Sequence, residues 1–319
     1  MADTENVAAD ADRDYVSEVQ TKLGVETAGE CLLAGRTTVQ QTCGLTLTQT
    51  TQALQQLSAA TYAWQQHVQL SGQMQPGERW LGTGSARVDA CLGGRGLLCG
   101  HLVEIVGESG SGKTQLCLQL VAAQLAQQPA AHVVYVCTEG PVPVTRLSEI
   151  LASRAGSAAQ QMLGRVHVAE LHDPEEFAHA LEYKVSSMVT GGHVQLVVVD
   201  SIAGQLRVGD DGEGEQGFFR RRARLLLRLG RVMRRWAAAG CLVVCVNQVT
   251  DVVGRWGALG DGRAPALGST WANVVDARVV VRQLRQAPGT PTRRWIALDF
   301  APWAAPAQCE VSLGAGGFS

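Results

Sequence analysis

Apolar runs of strand length alternate with helical stretches over most of the chain, from Leu81 onward. Apart from one polar residue in each of three runs, they are continuously apolar, which is typical of strands that are buried on both faces of a sheet. They occupy 102–106, 133–136, 166–168, 196–199, 242–246 and 277–281, and helical stretches follow the first run and lie near 143–154, 174–189 and 217–238. Buried strands that alternate with amphipathic helices predict an α/β domain with a mostly parallel, doubly wound sheet.

The chain before Leu81 follows a different pattern. Residues 1–14 are small and acidic, with too few apolar side chains to pack, so they are predicted to form a disordered tail. From 15 to 70 apolar residues recur at helical spacing, which predicts a small helical domain. Residues 71–80 are polar, with Gly and Pro, and read as a linker to the α/β domain at 81–319. The helical pattern has breaks at Gly24, Gly29, Gly35 and Gly44.

Composition limits the classes of protein that remain. The 319 residues carry a net charge of −2, so nucleic-acid binding would need a local basic patch. The nine cysteines form no C-x-x-C pair and lie mostly in apolar runs, which predicts buried thiols in a reducing compartment without a zinc site or a disulfide framework. No secretory signal is apparent, and no apolar run approaches the roughly 20 residues of a membrane helix. We therefore expect a soluble intracellular protein, in the nucleus or the cytosol.

A G-x-x-x-x-G-K-T segment stands between the first apolar run and the helical stretch after it. Such a loop binds a nucleoside triphosphate, because its backbone N–H groups and the helix N-terminus surround the phosphate oxygens. Lys113 is expected to reach the β- and γ-phosphates, and the hydroxyl of Thr114 to ligate Mg²⁺. An accidental Gly-rich surface loop is the alternative. The residues of the segment are Gly107, Glu108, Ser109, Gly110, Ser111, Gly112, Lys113 and Thr114.

Polar residues follow three other apolar runs, and parallel strands bring such positions to one edge of the sheet. Asp200 has the form of a carboxylate that binds Mg²⁺, although it could simply cap a strand. Glu139 is the candidate general base for an attacking water, with a turn residue before Gly140 as the alternative. Gln248 is a candidate sensor of the γ-phosphate, or a polar strand terminus.

Two loops are expected at the same edge of the sheet. The loop at 204–217 contains Arg207 among acidic residues, which are unfavourable neighbours for a phosphate backbone. The loop at 250–264 carries Arg255, Trp256 and Arg263, which could contact single-stranded nucleic acid by charge and stacking. A disordered loop without a ligand is the alternative in the second case.

The most basic stretch of the chain lies between these loops, on one predicted helix. Its arginines occupy the side opposite to the leucines, so they form either a solvated surface or a patch that faces DNA or a partner. Binding that depends on salt concentration would separate these alternatives. The arginines are Arg220, Arg221, Arg222, Arg224, Arg228, Arg231, Arg234 and Arg235.

Together these motifs resemble those of the RecA-type recombinases, and specifically of their eukaryotic paralogs. Thr138-Glu139-Gly140 with Arg146-Leu147 is similar to the family's T-E-G…R-L segment, Leu196–Ser201 to its L-V-V-V-D-S strand, and Asn247-Gln248-Val249 to its N-Q-V segment. The resemblance covers residues 80–319, with only a weak likeness over 15–70. It implies a RecA-like P-loop ATPase core behind a small N-terminal helical domain.

The resemblance also implies a function. Members of this family bind ATP and Mg²⁺ between adjacent subunits, and an arginine at the position of Arg146 packs on the adenine. The chain is therefore expected to be a nuclear protein, present also in the cytoplasm, with weak DNA-dependent ATP hydrolase activity. The implied partners are another recombinase paralog, single-stranded or branched DNA and, indirectly, the central strand-exchange recombinase. The implied process is homologous recombination in the repair of double-strand breaks.

Two departures from the family pattern favour an accessory subunit. Residues 58–80 lack the F-x-x-A segment by which the main recombinase joins subunits into filaments. The loop at 204–217 is acidic where the recombinase has a basic loop that contacts DNA. Two alternatives stay open: an assembly scaffold in which ATP only holds an interface together, and a strand-exchange recombinase in its own right.

Overall fold

The computed structural model describes residues 14–25, 27–34, 36–62, 78–204, 214–251, 263–284 and 293–319. The chain divides into two compact units, Met1–Gln73 and Met74–Ser319. Most of the predicted tail at 1–14 and of the predicted linker at 71–80 lies outside the described residues, as do most of the loops at 204–217 and 250–264.

Helices form the described part of the first unit, at Tyr15–Leu23, Ala28–Ala34, Arg36–Cys43 and Leu47–Tyr62. Asp14 caps the first helix by accepting from the N–H groups of Val16 and Ser17, and Gly24 ends it with a φ of 64° in the left-handed region. The break predicted at Gly29 is wrong, because the second helix contains this residue. The helices enclose a core of their own, formed by Tyr15, Val19, Cys31, Val39, Cys43, Leu45, Ala53 and Leu57.

The second unit is built on a ten-stranded sheet with the order β12-β11-β10-β9-β3-β7-β6-β4-β5, in which β8 pairs with β7. A separate two-stranded sheet joins β1 and β2. The strands are β1 Trp80–Leu81, β2 Leu97–Leu98, β3 Leu102–Gly107, β4 His132–Cys137, β5 Val166–Glu170, β6 Val194–Asp200, β7 Leu242–Asp251, β8 Arg263–Pro265, β9 Ala277–Gln283, β10 Arg293–Phe300, β11 Ala307–Gly314 and β12 Gly317–Phe318.

Helices cover both faces of this sheet. Two of them are named here: Lys113–Gln127 is the phosphate-loop helix, and Gly214–Ala238 is the arginine helix. Apolar side chains of the two helices belong to two different core clusters, one on each face. The remaining helical segments are Ala86–Cys91, Val144–Ala155, the 3₁₀ turn Gly156–Ala158, Ala159–Leu163, Pro174–His179, the π turn Ala180–Val185, Ser186–Thr190 and Gly268–Ala272.

The predicted α/β architecture is confirmed for the six apolar runs, which form β3, β4, β5, β6, β7 and β9. These strands pair in parallel, and the central strand β3 is buried along its whole length. Strands β10, β11 and β12 were not predicted, and they extend the sheet in antiparallel fashion. Among the described residues, no helix is both long and apolar enough to span a bilayer.

Candidate functional site

The phosphate loop connects the end of β3 to the phosphate-loop helix. Gly110 and Gly112 have φ angles of 72° and 109°, in the left-handed region that favours glycine. A Cβ atom at Gly107 would lie 2.1 Å from the carbonyl oxygen of Val281, so a side chain does not fit there. The backbone thus curves closely into the helix N-terminus, which is the geometry that suits an anion.

Lys113 lies across this loop. Its Nζ donates to the carbonyl oxygens of Gly107 at 2.9 Å and Glu108 at 2.7 Å. Burial lowers the pKa of Lys113, while the negative charges of Asp200 and Glu139 act in the opposite direction. An ammonium group that is destabilised by burial gains stability from an anion beside it. Lys113 is therefore placed to stabilise a phosphate in the loop.

Three side chains, Thr114, Tyr135 and Asp200, meet beside the loop and are called the Asp200 cluster below. Thr114 Oγ1 donates to Asp200 Oδ2 at 2.7 Å, and Tyr135 Oη donates to the same oxygen at 2.8 Å. Burial raises the pKa of Asp200. Burial and the adjacent Asp200 charge raise the pKa of Tyr135 well above its ordinary value. The carboxylate thus receives hydrogen bonds from two neutral hydroxyls, in a place where burial disfavours its charge.

Glu139 follows the end of β4 and is held by two donors. Ser201 Oγ donates to Glu139 Oε1 at 2.7 Å, and Gln248 Nε2 lies 3.1 Å from both carboxylate oxygens. Thr138 fixes Ser201 in turn, because its Oγ1 donates to the Ser201 carbonyl at 2.6 Å and accepts from the Ser201 N–H at 3.1 Å. The structure therefore brings the candidate base and the candidate sensor into direct contact.

A second polar cluster, the Glu104 cluster, lies inside the sheet and consists of Glu104, Asn247, Arg278 and Asp299. Asn247 Nδ2 donates to Glu104 Oε1 at 2.6 Å, and Arg278 Nε donates to Glu104 Oε2 at 2.5 Å. Arg278 also pairs with Asp299 at 3.2 Å. The side chain of Asn247 accepts from the backbone N–H of Gln248 at 2.8 Å. The cluster therefore anchors the backbone that carries Gln248.

Arg146 lies on Val144–Ala155, beside the first turn of the phosphate-loop helix. Its Nε donates to Gln115 at 2.9 Å, and its Nη2 donates to the carbonyl oxygen of Gly314 at 2.6 Å. The side chain also pairs with Glu149 at 2.8 Å. These contacts fix the guanidinium between the helix and β11. Its packing on an adenine stays a prediction.

The four residues predicted to contact DNA are placed differently. Arg207, Arg255 and Trp256 lie outside the described residues. Arg263, at the start of β8, forms an ion pair with Glu108 of the phosphate loop. The strand that follows the second loop is therefore in direct contact with the candidate nucleotide site.

Sequence reasoning missed three residues of the site. Tyr135 lies within an apolar run. Its hydroxyl was the one sign of a polar neighbour, because a buried tyrosine usually has a hydrogen-bond partner. Ser201 was expected at a strand end, but no role was predicted for it. Arg294 of β10 is buried, its Nε would lie 3.6 Å from a Cβ at Gly112, and its Nε finds no hydrogen-bond partner among the described residues. Nothing in the local sequence linked β10 to the loop.

Comparisons with known proteins agree with these motifs. The sequence pattern of the Rad51 family matches residues 79–318. The chain is 34% identical to the DNA repair protein XRCC3 of Bos taurus over 257 residues, which cover 74% of this chain and 73% of that protein. It is 27% identical to DNA repair protein RAD51 homolog 4 of Bos taurus over 314 residues, which cover 95% and 92% of the two chains.

One solved structure relates the fold to a described architecture. The crystal structure of the RadB recombinase superposes with a TM-score of 0.58 at 23% identity and covers 75% of this chain and 98% of that one. At this identity the likeness concerns the fold alone. The α/β sheet, with the phosphate loop at the end of β3, thus has the RecA-like recombinase architecture.

Proposed function

The chain belongs to the Rad51 family, and on that premise we propose that it is an ATP-binding accessory subunit of homologous recombination and double-strand break repair. We assign to it a weak, DNA-dependent ATP hydrolase activity. One observation carries this assignment: a lysine held across the phosphate loop, a hydroxyl that donates to one carboxylate and an amide that donates to a second carboxylate all lie at the ends of neighbouring strands. The named relatives are DNA repair proteins, which supports a nuclear role.

The residues present fit ATP and Mg²⁺. Gly110 and Gly112 adopt the left-handed φ angles that curve the loop, and Ser111 Oγ is buried without a hydrogen-bond partner among the described residues. Lys113 and the loop N–H groups would hold the phosphates, while Thr114 and Asp200 would hold the cation. Bound Mg²⁺ would neutralise phosphate charge. The fit therefore rests on the shape of the loop and on the oxygen donors beside it.

Glu139 and Gln248 have separate roles in this proposal. Glu139 orients an attacking water and accepts its proton, since a carboxylate within hydrogen-bond reach of the water can act as a general base. Gln248 reports the γ-phosphate, because its amide can exchange Glu139 for a phosphate oxygen. Its backbone leads through β7 towards the loop at 252–262, so a change at Gln248 is transmitted along a single strand.

A partner subunit is part of the proposal. Strand β5 is an edge strand, and Val168 on it is 44% exposed. An exposed edge offers unpaired backbone groups and an apolar side chain to a strand of another chain. We propose that another recombinase paralog binds this chain and completes the nucleotide site, and that the pair acts on single-stranded or branched DNA in support of the central strand-exchange recombinase.

A second candidate function is an assembly scaffold that binds ATP without hydrolysing it. One observation favours it: both oxygens of Glu139 already accept hydrogen bonds, and Oε1 accepts two. A carboxylate in that state is a poor proton acceptor until Gln248 moves away. If partner binding moved Gln248 away, Glu139 could act as a base and the scaffold would become an enzyme. The two functions therefore differ by the contact between Gln248 and Glu139.

The test measures ATP binding and turnover with and without single-stranded DNA. Lys113→Ala should lose about 10- to 100-fold in ATP affinity, as expected for hydrogen bonds to a charged group. Lys184→Ala is the matched control, because it removes an exposed lysine of the π turn. Equal affinity in Lys113→Ala and Lys184→Ala would contradict the proposed site.

Glu139→Gln separates the two candidate functions. The enzyme predicts unchanged ATP affinity and a fall of about 10² or more in turnover, the usual contribution of a general base. The scaffold predicts that turnover is negligible in the wild type and that partner binding survives the substitution. Turnover that is substantial and unaffected by Glu139→Gln would assign the base to another residue.

A further inference from the structure

The arginine helix is fixed on one side by apolar packing. Leu226, Leu229, Met233 and Trp236 are buried in the core on one face of the sheet. Trp236 Nε1 also donates to Ser186 Oγ at 2.9 Å. These contacts determine the rotation of the helix about its axis, and so they determine which residues point into solvent.

The exposed side carries a row of arginines, here called the arginine face: Arg224, Arg228, Arg231 and Arg235. All four are exposed. Their spacing of four, three and four residues places them on one side of an α-helix. At 1.5 Å per residue the row is about 16 Å long.

Charge on this helix is not balanced within the helix. From Arg221 to Ala238 it contains no Asp or Glu. Like charges three or four residues apart destabilise a helix by about 0.2–0.5 kcal/mol per pair. A surface that contacts only water usually has acidic side chains among its basic ones, which removes this repulsion. A bound polyanion would offset it.

Two other arginines of the helix, Arg222 and Arg234, have internal roles. Arg222 Nη2 donates to the carbonyl oxygen of Ala266 at 2.8 Å, and Arg234 donates to the Val274 carbonyl at 2.8 Å. On the face itself Arg228 forms an ion pair with Glu182. The internal contacts attach the helix to its neighbours, whereas Arg224 and Arg235 extend the positive charge along the surface.

The chemistry of the face fits a phosphate backbone better than a protein. The large hydrophobic side chains that are exposed in the described part of the chain are Val144, Val168 and Tyr183, and none of them lies between Arg221 and Ala238, the part of this helix whose side chains the structure describes. A protein interface usually has an apolar centre, whereas guanidinium groups match phosphate oxygens in geometry and charge. Phosphates advance about 3.4 Å along the axis per strand, so about 16 Å spans four or five of them.

We propose that the arginine face binds the sugar–phosphate backbone of DNA without reading its sequence. This contact would be additional to the loops at 204–217 and 250–264, and its purpose rests on the proposed role in DNA repair. Because it uses charge alone, it requires no nucleotide. Its strength should fall steeply as salt is added.

The experiment measures fluorescence anisotropy of a labelled single-stranded oligonucleotide with the full chain, without ATP, over a series of KCl concentrations. The test variant is Arg224→Gln with Arg235→Gln, since glutamine is a good helix former. We expect weaker binding and a log–log salt slope reduced by about 1.4, which corresponds to two phosphate contacts on a single strand. The matched control, Arg87→Gln with Arg95→Gln, removes two exposed arginines elsewhere and should keep the wild-type slope.

Three results would overturn the proposal. The two double variants could show equal slopes, which would mean that only net charge matters. The test variant could bind the oligonucleotide like wild type. It could lose binding to poly-glutamate while retaining DNA, which would indicate an acidic protein as the occupant. Failure of the proposed ATP function can be distinguished from failure of this DNA contact. In the first case Lys113→Ala would leave ATP affinity and turnover unchanged, while the salt slope of DNA binding would still depend on Arg224 and Arg235.

Discussion

Two carboxylates near the centre of the sheet, the buried Glu104 and the half-buried Asp200, are stabilised in different ways. Glu104, which is 0% exposed, faces the guanidinium of Arg278 and the amide of Asn247. Asp200 accepts hydrogen bonds from two neutral hydroxyls, those of Thr114 and Tyr135, and forms no ion pair among the described residues. Glu104 thus forms an ion pair with its cation, whereas the charge of Lys113 favours the ionised form of Asp200 without forming an ion pair with it.

The difference indicates which cluster is structural and which is prepared for a ligand. A buried charge with a permanent partner contributes to a fixed geometry, although desolvation reduces its net effect on stability. Burial raises the pKa of Asp200, although its two hydroxyl partners act in the opposite direction, so this carboxylate gains most from a bound cation. The Glu104 cluster thus orients the strand of Gln248, while the Asp200 cluster is the place where Mg²⁺ would act.

Glu104→Gln should have the largest effect on the free energy of unfolding. It leaves the buried guanidinium of Arg278 without its main countercharge, which costs about 3–5 kcal/mol of unfolding free energy. Urea unfolding measures the loss. The control is Asp299→Asn, which removes the other carboxylate of Arg278; Asp299 is 32% exposed, so about 1 kcal/mol or less is expected.

A double replacement keeps the prediction testable if Glu104→Gln does not fold. Glu104→Met with Arg278→Met replaces both charges by apolar side chains, and such exchanges are often neutral or stabilising. We expect the double variant to regain most of the stability lost in Glu104→Gln. If Glu104→Gln lost less than 1 kcal/mol, the cluster would not be the structural element of the comparison.

Asp200→Asn should have a smaller effect on stability and the opposite sign. The amide oxygen can still accept from Thr114 and Tyr135, but the buried charge is gone, so the variant should be about 1 kcal/mol more stable than wild type at neutral pH. Added MgATP should stabilise wild type by about 2.7 kcal/mol at 100 times its Kd. That Mg²⁺-dependent gain should disappear in the variant.

The pH dependence gives an internal control for Asp200. The folded state raises the pKa of Asp200, so acidification relieves a cost that only wild type carries. The stability difference between variant and wild type should therefore be largest at neutral pH. It should shrink as pH falls through the raised pKa towards the ordinary value of 3.8. A difference that is independent of pH would contradict the assignment.

The sequence predicted the Asp200 side of this comparison better than the Glu104 side. Continuous apolar runs identified the parallel strands, and parallel strands bring their carboxyl ends to one edge. Asp200, Glu139 and Gln248 could therefore be named from their positions after those runs. The structure also brings them together with Lys113 and Thr114, whereas their roles in hydrolysis stay predictions.

The Glu104 cluster could not be predicted, because its partners are distant in sequence. Glu104 and Arg278 are separated by 174 residues and sit inside apolar runs, where a single charge gives no sign of its partner. Strands β10 and β11 were not predicted for a related reason, because they mix exposed and buried positions along their length, and β12 has only two residues. Edge regions of this kind lack the continuous apolar pattern that identified the central strands.

Tyr135→Phe tests the role of the hydroxyl partners of Asp200, and it should have the smallest effect of these variants. It removes one of the two hydroxyls that stabilise the charged form of Asp200, so about 0.5–1.5 kcal/mol of unfolding free energy should be lost at neutral pH. The same loss should raise the pKa of Asp200 further, because fewer donors favour its ionised form. Mg²⁺-dependent ATP binding, measured over a pH series, should therefore fail at a higher pH than in wild type. Tyr183→Phe removes an exposed hydroxyl and serves as the control. If both variants shifted the pH profile equally, hydroxyl donors would not be what prepares Asp200 for a cation, and the contrast with Glu104 would rest on Arg278 alone.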